Sequence, residues 1–338
     1  MQALHLTESR SVSMSKKVGL DIGYSNVIAV YSGDSGNQES IVRPARATPL
    51  NALPRDSGLR AGEVIVEVDG QPWVAFAGPG RSGDRELHKD YTASDYYQAL
   101  FKGALLNAAC NSDVVDTLVT GLPVSQFHDK SYVRALKERM TGRHRISPKI
   151  EIDVRQVEVV PQPVGTLTDV YCTSEHAEVI EESVVLVIDP GFFSVDWVVF
   201  IQRELATKTS NSSLKAMSVL LETCAEEVAL DFGGNPGTDK IEWALQEGKN
   251  SIMLFGRKVD LPEYLKRASD RVIPTVMREI KQELRKLENQ VVDCVILGGG
   301  GASLYESYAR QEFPSALILC SSDIIRSNAQ GFWHIAHS

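Results

Sequence analysis

Two aspartates, each closing an apolar run and each two residues ahead of a glycine, are the groups in this chain best placed to do chemistry. The first stands in Val18-Gly-Leu-Asp21-Ile-Gly23-Tyr24-Ser25-Asn26-Val-Ile-Ala-Val30. The second stands in Val184-Val-Leu-Val-Ile-Asp189-Pro190-Gly191-Phe192-Phe193-Ser194-Val-Asp196-Trp-Val-Val-Phe200. Each reads as a buried strand, a tight turn and a returning strand. Glycine in such a turn admits positive φ and leaves bare backbone for a ligand. One Asp-x-Gly is an ordinary hairpin; two, about half a chain apart, are a repeat. Facing each other, they bring two carboxylates and two sets of N–H groups around one polyanion. That donor set suits a magnesium-bound nucleoside triphosphate: carboxylates hold the hydrated cation and N–H groups the phosphate oxygens.

A third glycine cluster adds to this. Val291–Leu297 is a strand that runs into Gly298-Gly299-Gly300-Gly301, and Ser303–Gln311 restarts a helix. Four glycines exceed what a turn needs, and a helix N-terminus favours negative charge, so this turn is expected to meet a base and ribose. The stretch Gly78-Pro79-Gly80-Arg-Ser-Gly83 matches G-x-G-x-x-G only formally. Proline inside the turn and the polar residues 84–90 after it deny the helix that a dinucleotide fingerprint needs. There is no G-x-x-x-x-G-K-[ST], no G-x-S-x-G and no H-E-x-x-H. His334 and His337 read as exposed tail residues, His128-Asp129 as a helix start, and the four tryptophans as core.

The elements that must hold these groups alternate between strand and helix. The hairpin Val18–Tyr31 is followed by a polar turn, 32–40, and a loop through Arg60 rich in Pro, Arg and Ala. Strands 63–68 and 71–76 flank Asp69-Gly70, a hairpin signature. Thr92–Cys110 has helical spacing, with Thr92 or Ser94 as cap. Val114–Thr120 and Val154–Val160 read as strands. Lys130–Met140 and Leu214–Leu230 read as helices, and Pro262–Glu288 as a long charged helix bent or broken at Pro274. The pattern is α/β, in two related domains.

At 338 residues, 43% hydrophobic and 23% charged, the chain can bury two cores. A net charge of −9 argues against direct nucleic-acid binding, which demands a basic face. Five scattered cysteines without C-x-x-C read as reduced core residues of a cytoplasmic protein. No apolar run nears the roughly 20 residues that span a bilayer. Residues 1–13 read as a disordered extension without function, ahead of Met14.

The order of these motifs resembles the actin/sugar-kinase/heat-shock-chaperone ATPase superfamily, and within it the ParM (StbA) group of plasmid-segregating actins. Asp21-Ile-Gly-Tyr-Ser-Asn26 resembles the group's first phosphate motif. Val115–Pro123 with Phe127–Asp129 resembles its strand ahead of the interdomain helix. Val157-Glu-Val-Val-Pro-Gln162-Pro-Val-Gly165 resembles its first connecting segment, Cys294–Ala302 its adenosine motif, and Ser327–Trp333 its closing helix. Two departures stand out. Relatives carry Asp-x-Gly-Gly-x-Thr where this chain has Asp189-Pro-Gly191-Phe192-Phe193-Ser194. They also commonly carry Glu where it has Gln162, an amide that orients water but is no base at neutral pH.

The resemblance implies an actin-like ATPase fold with a nucleotide cleft between two domains, residues 14–164 with 321–338 and residues 165–320. It implies Mg2+ held by Asp21 and Asp189, phosphates met by Gly23, Tyr24, Ser25 and Asn26 and by Gly191, Phe192 and Ser194, adenosine against Gly298–Gly301, and water oriented by Gln162. It further implies slow ATP hydrolysis coupled to head-to-tail filaments, and plasmid segregation through a DNA-bound adaptor. Direct nucleic-acid or membrane binding is not expected. A small-molecule kinase of the same superfamily, or a nucleotide-binding scaffold without turnover, is the alternative.

Overall fold

The computed structural model describes residues 15–54, 58–78, 80–81, 88, 90–110, 112–287 and 290–338. The expected extension 1–13 lies outside the described residues, as do Pro79, 82–87 and 89 of the glycine-rich stretch and its polar sequel.

The first domain is built on strands β1 (Lys17–Ile22), β2 (Asn26–Ser32) and β3 (Gln38–Pro44). A small sheet follows, of β4 (Ala47–Pro49), β5 (Val64–Val68) and β6 (Gln71–Ala75). Asp69 and Gly70 join β5 to β6 with φ of 47° and 78°, the left-handed pair that such a hairpin turn requires. Helix α1 (Asp95–Ala108) is capped by Ser94, whose hydroxyl accepts from the Tyr97 N–H at 3.1 Å. Then come β7 (Val114–Leu122), α2 (Val124–Phe127), α3 (Lys130–Met140), β8 (Gly142–Ser147) and β9 (Ile150–Pro161). The main sheet has the order β3-β2-β1-β7-β9-β8, with β7 parallel to both β1 and β9.

Helix α4 (Gln162–Thr173) leads away from β9 and α5 (Ala177–Glu182) into the second domain. Its sheet starts with β10 (Val184–Pro190), β11 (Val195–Ile201), β12 (Glu204–Leu205) and β13 (Asn211–Ser213). Helices α6 (Met217–Phe232) and α7 (Thr238–Gln246) precede a hairpin of β14 (Ser251–Leu254) and β15 (Arg257–Asp260). The chain closes with α8 (Leu261–Leu284), β16 (Cys294–Leu297), α9 (Ala302–Glu312), β17 (Leu317–Cys320) and α10 (Ser327–His337). The second sheet runs β12-β11-β10-β16-β17. Each domain has its own buried core.

Helix α10 returns to the first domain, packing on β1 and β7 and crossing α4. At the crossing a Cβ on Gly331 would stand 1.8 Å from the carbonyl oxygen of Gly165, so only backbone fits there.

The structure departs from the sequence reading at several points. Edge strand β3 occupies residues assigned to turn and loop, because its outer half faces solvent and carries no apolar alternation. Helix α8 is continuous through Pro274. Buried Leu265, Ala268, Val272, Val276 and Ile280 lie on both sides of the proline, and their packing outweighs one lost N–H bond. Trp197 is core, but Trp243 is exposed. Cys172 and Cys320 are exposed, not core. His334 and His337 belong to α10, with the His334 ring half-buried and its pKa lowered by that burial.

Candidate functional site

The two hairpins repeat each other position for position. Asp21 pairs with Ile28 across β1 and β2, and Asp189 with Asp196 across β10 and β11. The Gly23 N–H donates to the Asn26 carbonyl at 2.9 Å, and the Gly191 N–H to the Ser194 carbonyl at 2.9 Å. Neither glycine has positive φ, against the sequence expectation. A Cβ would meet the Asn26 oxygen at 3.2 Å in one turn and the Ser194 oxygen at 2.9 Å in the other. Glycine is needed here for close approach inside the hairpin, and its N–H closes the turn.

Asn328 on α10 ties the two carboxylates together. Its Oδ1 accepts from the backbone N–H of Thr166 at 3.2 Å and from the Thr166 hydroxyl at 2.8 Å. A backbone N–H can only donate, which fixes the orientation of the amide. Its Nδ2 then donates to Asp189 Oδ2 at 2.7 Å and also hydrogen-bonds Asp21. Gln162, the first residue of α4, donates from Nε2 to Asp21 Oδ1 at 3.3 Å. Burial raises the Asp21 pKa to about 6, opposed by the bonds from Gln162 and Asn328. Burial raises Asp189 to about 7; Asn328 opposes it, and the charges of Asp21 and Asp196 add to it.

Around this pair lies a cavity of about 270 Å³. Four carboxylates line it, Asp21, Asp189, Asp196 and Glu242, and among its described lining residues there is no Lys or Arg. A phosphate chain entering such a cavity must bring its own positive charge. No group of three or more His, Cys, Asp or Glu among the described residues could cage a metal. Two carboxylates on the wall of this cavity nevertheless fit a magnesium ion, which keeps most of its water and takes one or two carboxylates together with substrate phosphates.

The two phenylalanines of the second turn part company. Phe192 packs into the core of the second domain, and its carbonyl accepts from the Ser218 N–H at 2.9 Å, anchoring the start of α6. Phe193 crosses to the first domain and stacks on Tyr24 at 4.5 Å, and Tyr24 stacks on Tyr91 at 4.4 Å.

Of the glycine run, Gly299 and Gly300 line the cavity. A Cβ on Gly298 would stand 2.2 Å from the Thr166 hydroxyl, one on Gly299 1.9 Å from Asp189 Oδ1, and one on Gly301 2.9 Å from Pro190. Packing therefore accounts for three of the four. Gly300 alone faces open space.

Several residues of the site carry no motif. Asp196 accepts from the Val124 N–H at 2.7 Å, from the Ser194 hydroxyl at 2.5 Å and from the Ser212 hydroxyl, joining the start of α2 to the second sheet. Across the cleft, the Ser25 hydroxyl donates to Glu242 at 2.6 Å and accepts from Gln246 Nε2 at 2.9 Å. Arg46 pairs with Asp239 at 3.1 Å. The signal that could have found Asp196 is an acid inside an apolar strand. Glu242 and Gln246, on an ordinary amphipathic helix, give no such signal.

Comparison with known proteins agrees with this architecture. Residues 19–165 match the family described as actin-like proteins, N-terminal domain, and residues 187–308 match the archaeal actin homologue MreB-like C-terminal family. The chain belongs to the actin-like proteins. Among solved structures it is similar to Ta0583, an archaeal actin homologue, at 21% identity and TM-score 0.75, over 95% of this chain and 99% of that one. Ta0583 has also been solved in complex with ADP (TM-score 0.73, 20% identity, 95% and 99% of the two chains). A 15-stranded ParM filament from Clostridium botulinum superposes with TM-score 0.70 at 16% identity, over 96% and 99% of the chains. The sequence has no detectable counterpart among curated proteins.

Proposed function

We propose that this actin-like protein binds Mg2+-ATP in the cleft, hydrolyses it slowly and assembles into filaments. The observation that carries the reading is the pair of matching Asp-x-Gly hairpins whose buried carboxylates meet at Asn328, in a cavity with no Lys or Arg among its described lining residues. Asp21 and Asp189 would hold the hydrated metal, which supplies the positive charge that the lining lacks. The tips of the two turns, Tyr24, Ser25 and Asn26 on one side and Gly191, Phe192 and Ser194 on the other, would face the phosphates. Gly298–Gly301 would lie against the nucleoside, with Gly299 and Gly300 nearest. Gln162, already oriented by its bond to Asp21, would position water. Such chemistry is positioning and charge stabilisation.

Nucleotide touching both hairpins favours a closed cleft, and a closed cleft fixes the faces that meet in a filament. The complex of Ta0583 with ADP and the ParM filament support this reading by similarity of fold. The finer task, moving plasmid DNA through a DNA-bound adaptor, rests on the ParM resemblance and suits a net charge of −9.

Pro190, which lacks an N–H, and the Phe193 stack give weight to a second reading, a nucleotide-gated scaffold without turnover. Right-angle light scattering with parallel phosphate release separates the two. A rise in scattering on addition of Mg2+-ATP, decaying as phosphate appears, is the expected result. Nucleotide binding with flat scattering and no phosphate overturns the filament reading.

A further inference from the structure

Beside the first turn of the cleft stands a cation that does not line the cavity. Past β3 the chain continues along this turn: Pro44 lies opposite Asn26, and the Ala45 N–H donates to the Ser25 carbonyl at 2.9 Å. Arg46 is the next residue. Its carbonyl accepts from the Ala77 N–H at 2.9 Å, which ties its backbone to the small sheet. Its side chain is only 10% exposed, and a guanidinium taken out of water needs a partner. The partner it has is a weak one. Arg46 pairs at 3.1 Å with Asp239, whose own side chain is 72% exposed, and an ion pair with one member in water is worth little.

Asp239 stands on α7 three residues before Glu242 and seven before Gln246, so the three share one face of the helix. That face is turned to the first domain, where Glu242 accepts from the Ser25 hydroxyl and Gln246 donates to it. Three residues of helix rise about 4.5 Å, so Asp239 holds Arg46 about one turn of α7 away from Ser25. Four carboxylates line the cavity itself, and one magnesium ion offsets only part of the charge of a triphosphate beside them.

We infer that Arg46 is a phosphate-binding residue of the cleft, held in reserve by Asp239 until a nucleotide enters. The guanidinium then leaves Asp239 for the terminal phosphates, a gap that a change of rotamer spans. Phosphate wins the competition because it takes two parallel charge-assisted N–H···O bonds from the planar fork, against one contact to an exposed carboxylate. The inference rests on the nucleotide reading and adds to it a residue that none of the motifs contains. It also lets the nucleotide act on α7, since loss of the Arg46–Asp239 pair frees one end of that helix from the first domain.

A double-mutant cycle on Mg2+-ATP affinity, measured by titration calorimetry on the full chain, tests it. Arg46→Met keeps the buried aliphatic stem and removes the charge, and it is expected to weaken binding about 30-fold, the loss of a charge-assisted bond. Arg46→Lys, which keeps the charge and loses the fork, should fall between Arg46→Met and the wild type. Asp239→Asn, at an exposed position, should instead tighten binding about threefold, the release of a surface ion pair. In the double variant that gain should vanish, because Asp239 acts through Arg46. A pair that merely clasps the two domains behaves otherwise: each single variant breaks it, and both shift the affinity in the same direction. Arg46→Met that binds as tightly as the wild type, Asp239→Asn that binds no tighter, or a gain that survives in the double variant overturns the inference. Wild-type protein that binds no Mg2+-ATP overturns the nucleotide reading itself, and the inference falls with it.

Discussion

The ring of Phe193 stacks on that of Tyr24 with centroids 4.5 Å apart and planes 26° from parallel, so the two Asp-x-Gly turns touch through aromatic faces. Tyr24 belongs to the first domain and Phe193 to the second, and Tyr91 extends the stack. The contact therefore helps to hold the cleft shut. A double-mutant cycle of Tyr24→Ala and Phe193→Ala, measured by urea unfolding, is expected to show a coupling of about 1 kcal/mol. Nucleotide should also enter Phe193→Ala several-fold faster in stopped-flow mixing. Zero coupling together with an unchanged entry rate would mean that the rings are neighbours without consequence.

Burial of Asp21 and Asp189 makes stability depend on pH in an unusual direction. Their pKa values of about 6 and about 7 lie above the ordinary 3.8, so the folded chain binds protons more tightly than the unfolded one. The stabilisation is complete below the unfolded value and drains away as pH rises through 6 to 7. Each tenfold difference in proton affinity is worth about 1.4 kcal/mol, so the loss amounts to a few kcal/mol. Protein without nucleotide, in EDTA, should melt at a lower temperature at pH 8 than at pH 5. Asp189→Asn should flatten the upper part of the curve. A midpoint that climbs over this range would contradict the assignment.

Glu242 places a carboxylate on the wall opposite the first turn, within 2.6 Å of the Ser25 hydroxyl. Coulomb repulsion at this separation opposes any phosphate chain between the turns. Glu242→Gln keeps an oxygen for Ser25 and removes the charge. Nucleotide affinity should rise about tenfold at low salt, and the gain should shrink as salt screens it. Equal affinity for the two proteins would place the phosphates away from α7.

The hairpins are legible in the sequence because their signal is local: an apolar run, an acid, a glycine. The same holds for α3, whose bounds Lys130–Met140 follow from the Asp129 cap and from Gly142 after it. What escapes a sequence reading is set by tertiary packing. Edge strand β8 carries Gly-Arg-His-Arg and pairs with β9 through only two buried side chains, His144 and Ile146. Asn328 looks like a polar residue in a small-residue helix until α10 is laid over α4, which brings it between two carboxylates far away in the chain. The packing role of the glycine run is hidden from the sequence for a similar reason. Gly298 and Gly301 answer to Thr166, Ser327, Pro190 and Met217, which no local pattern reveals.

Gln162 begins α4, the helix that leaves the first domain, and its amide donates to Asp21 at 3.3 Å. That bond uses one N–H and leaves the amide oxygen as the group that can accept from a water. On the proposed reading an amide at this position would orient the nucleophile but take no proton, which would set a slow rate. Gln162→Ala should bind Mg2+-ATP as wild type does and release phosphate about tenfold more slowly, and its filaments should persist longer in light scattering. Gln162→Glu restores a side chain of the same length and adds a base, so turnover should exceed that of the wild type above the pH at which this glutamate ionises. If Gln162→Ala hydrolyses faster than wild type, the residue restrains the hinge at α4 and the water is held elsewhere.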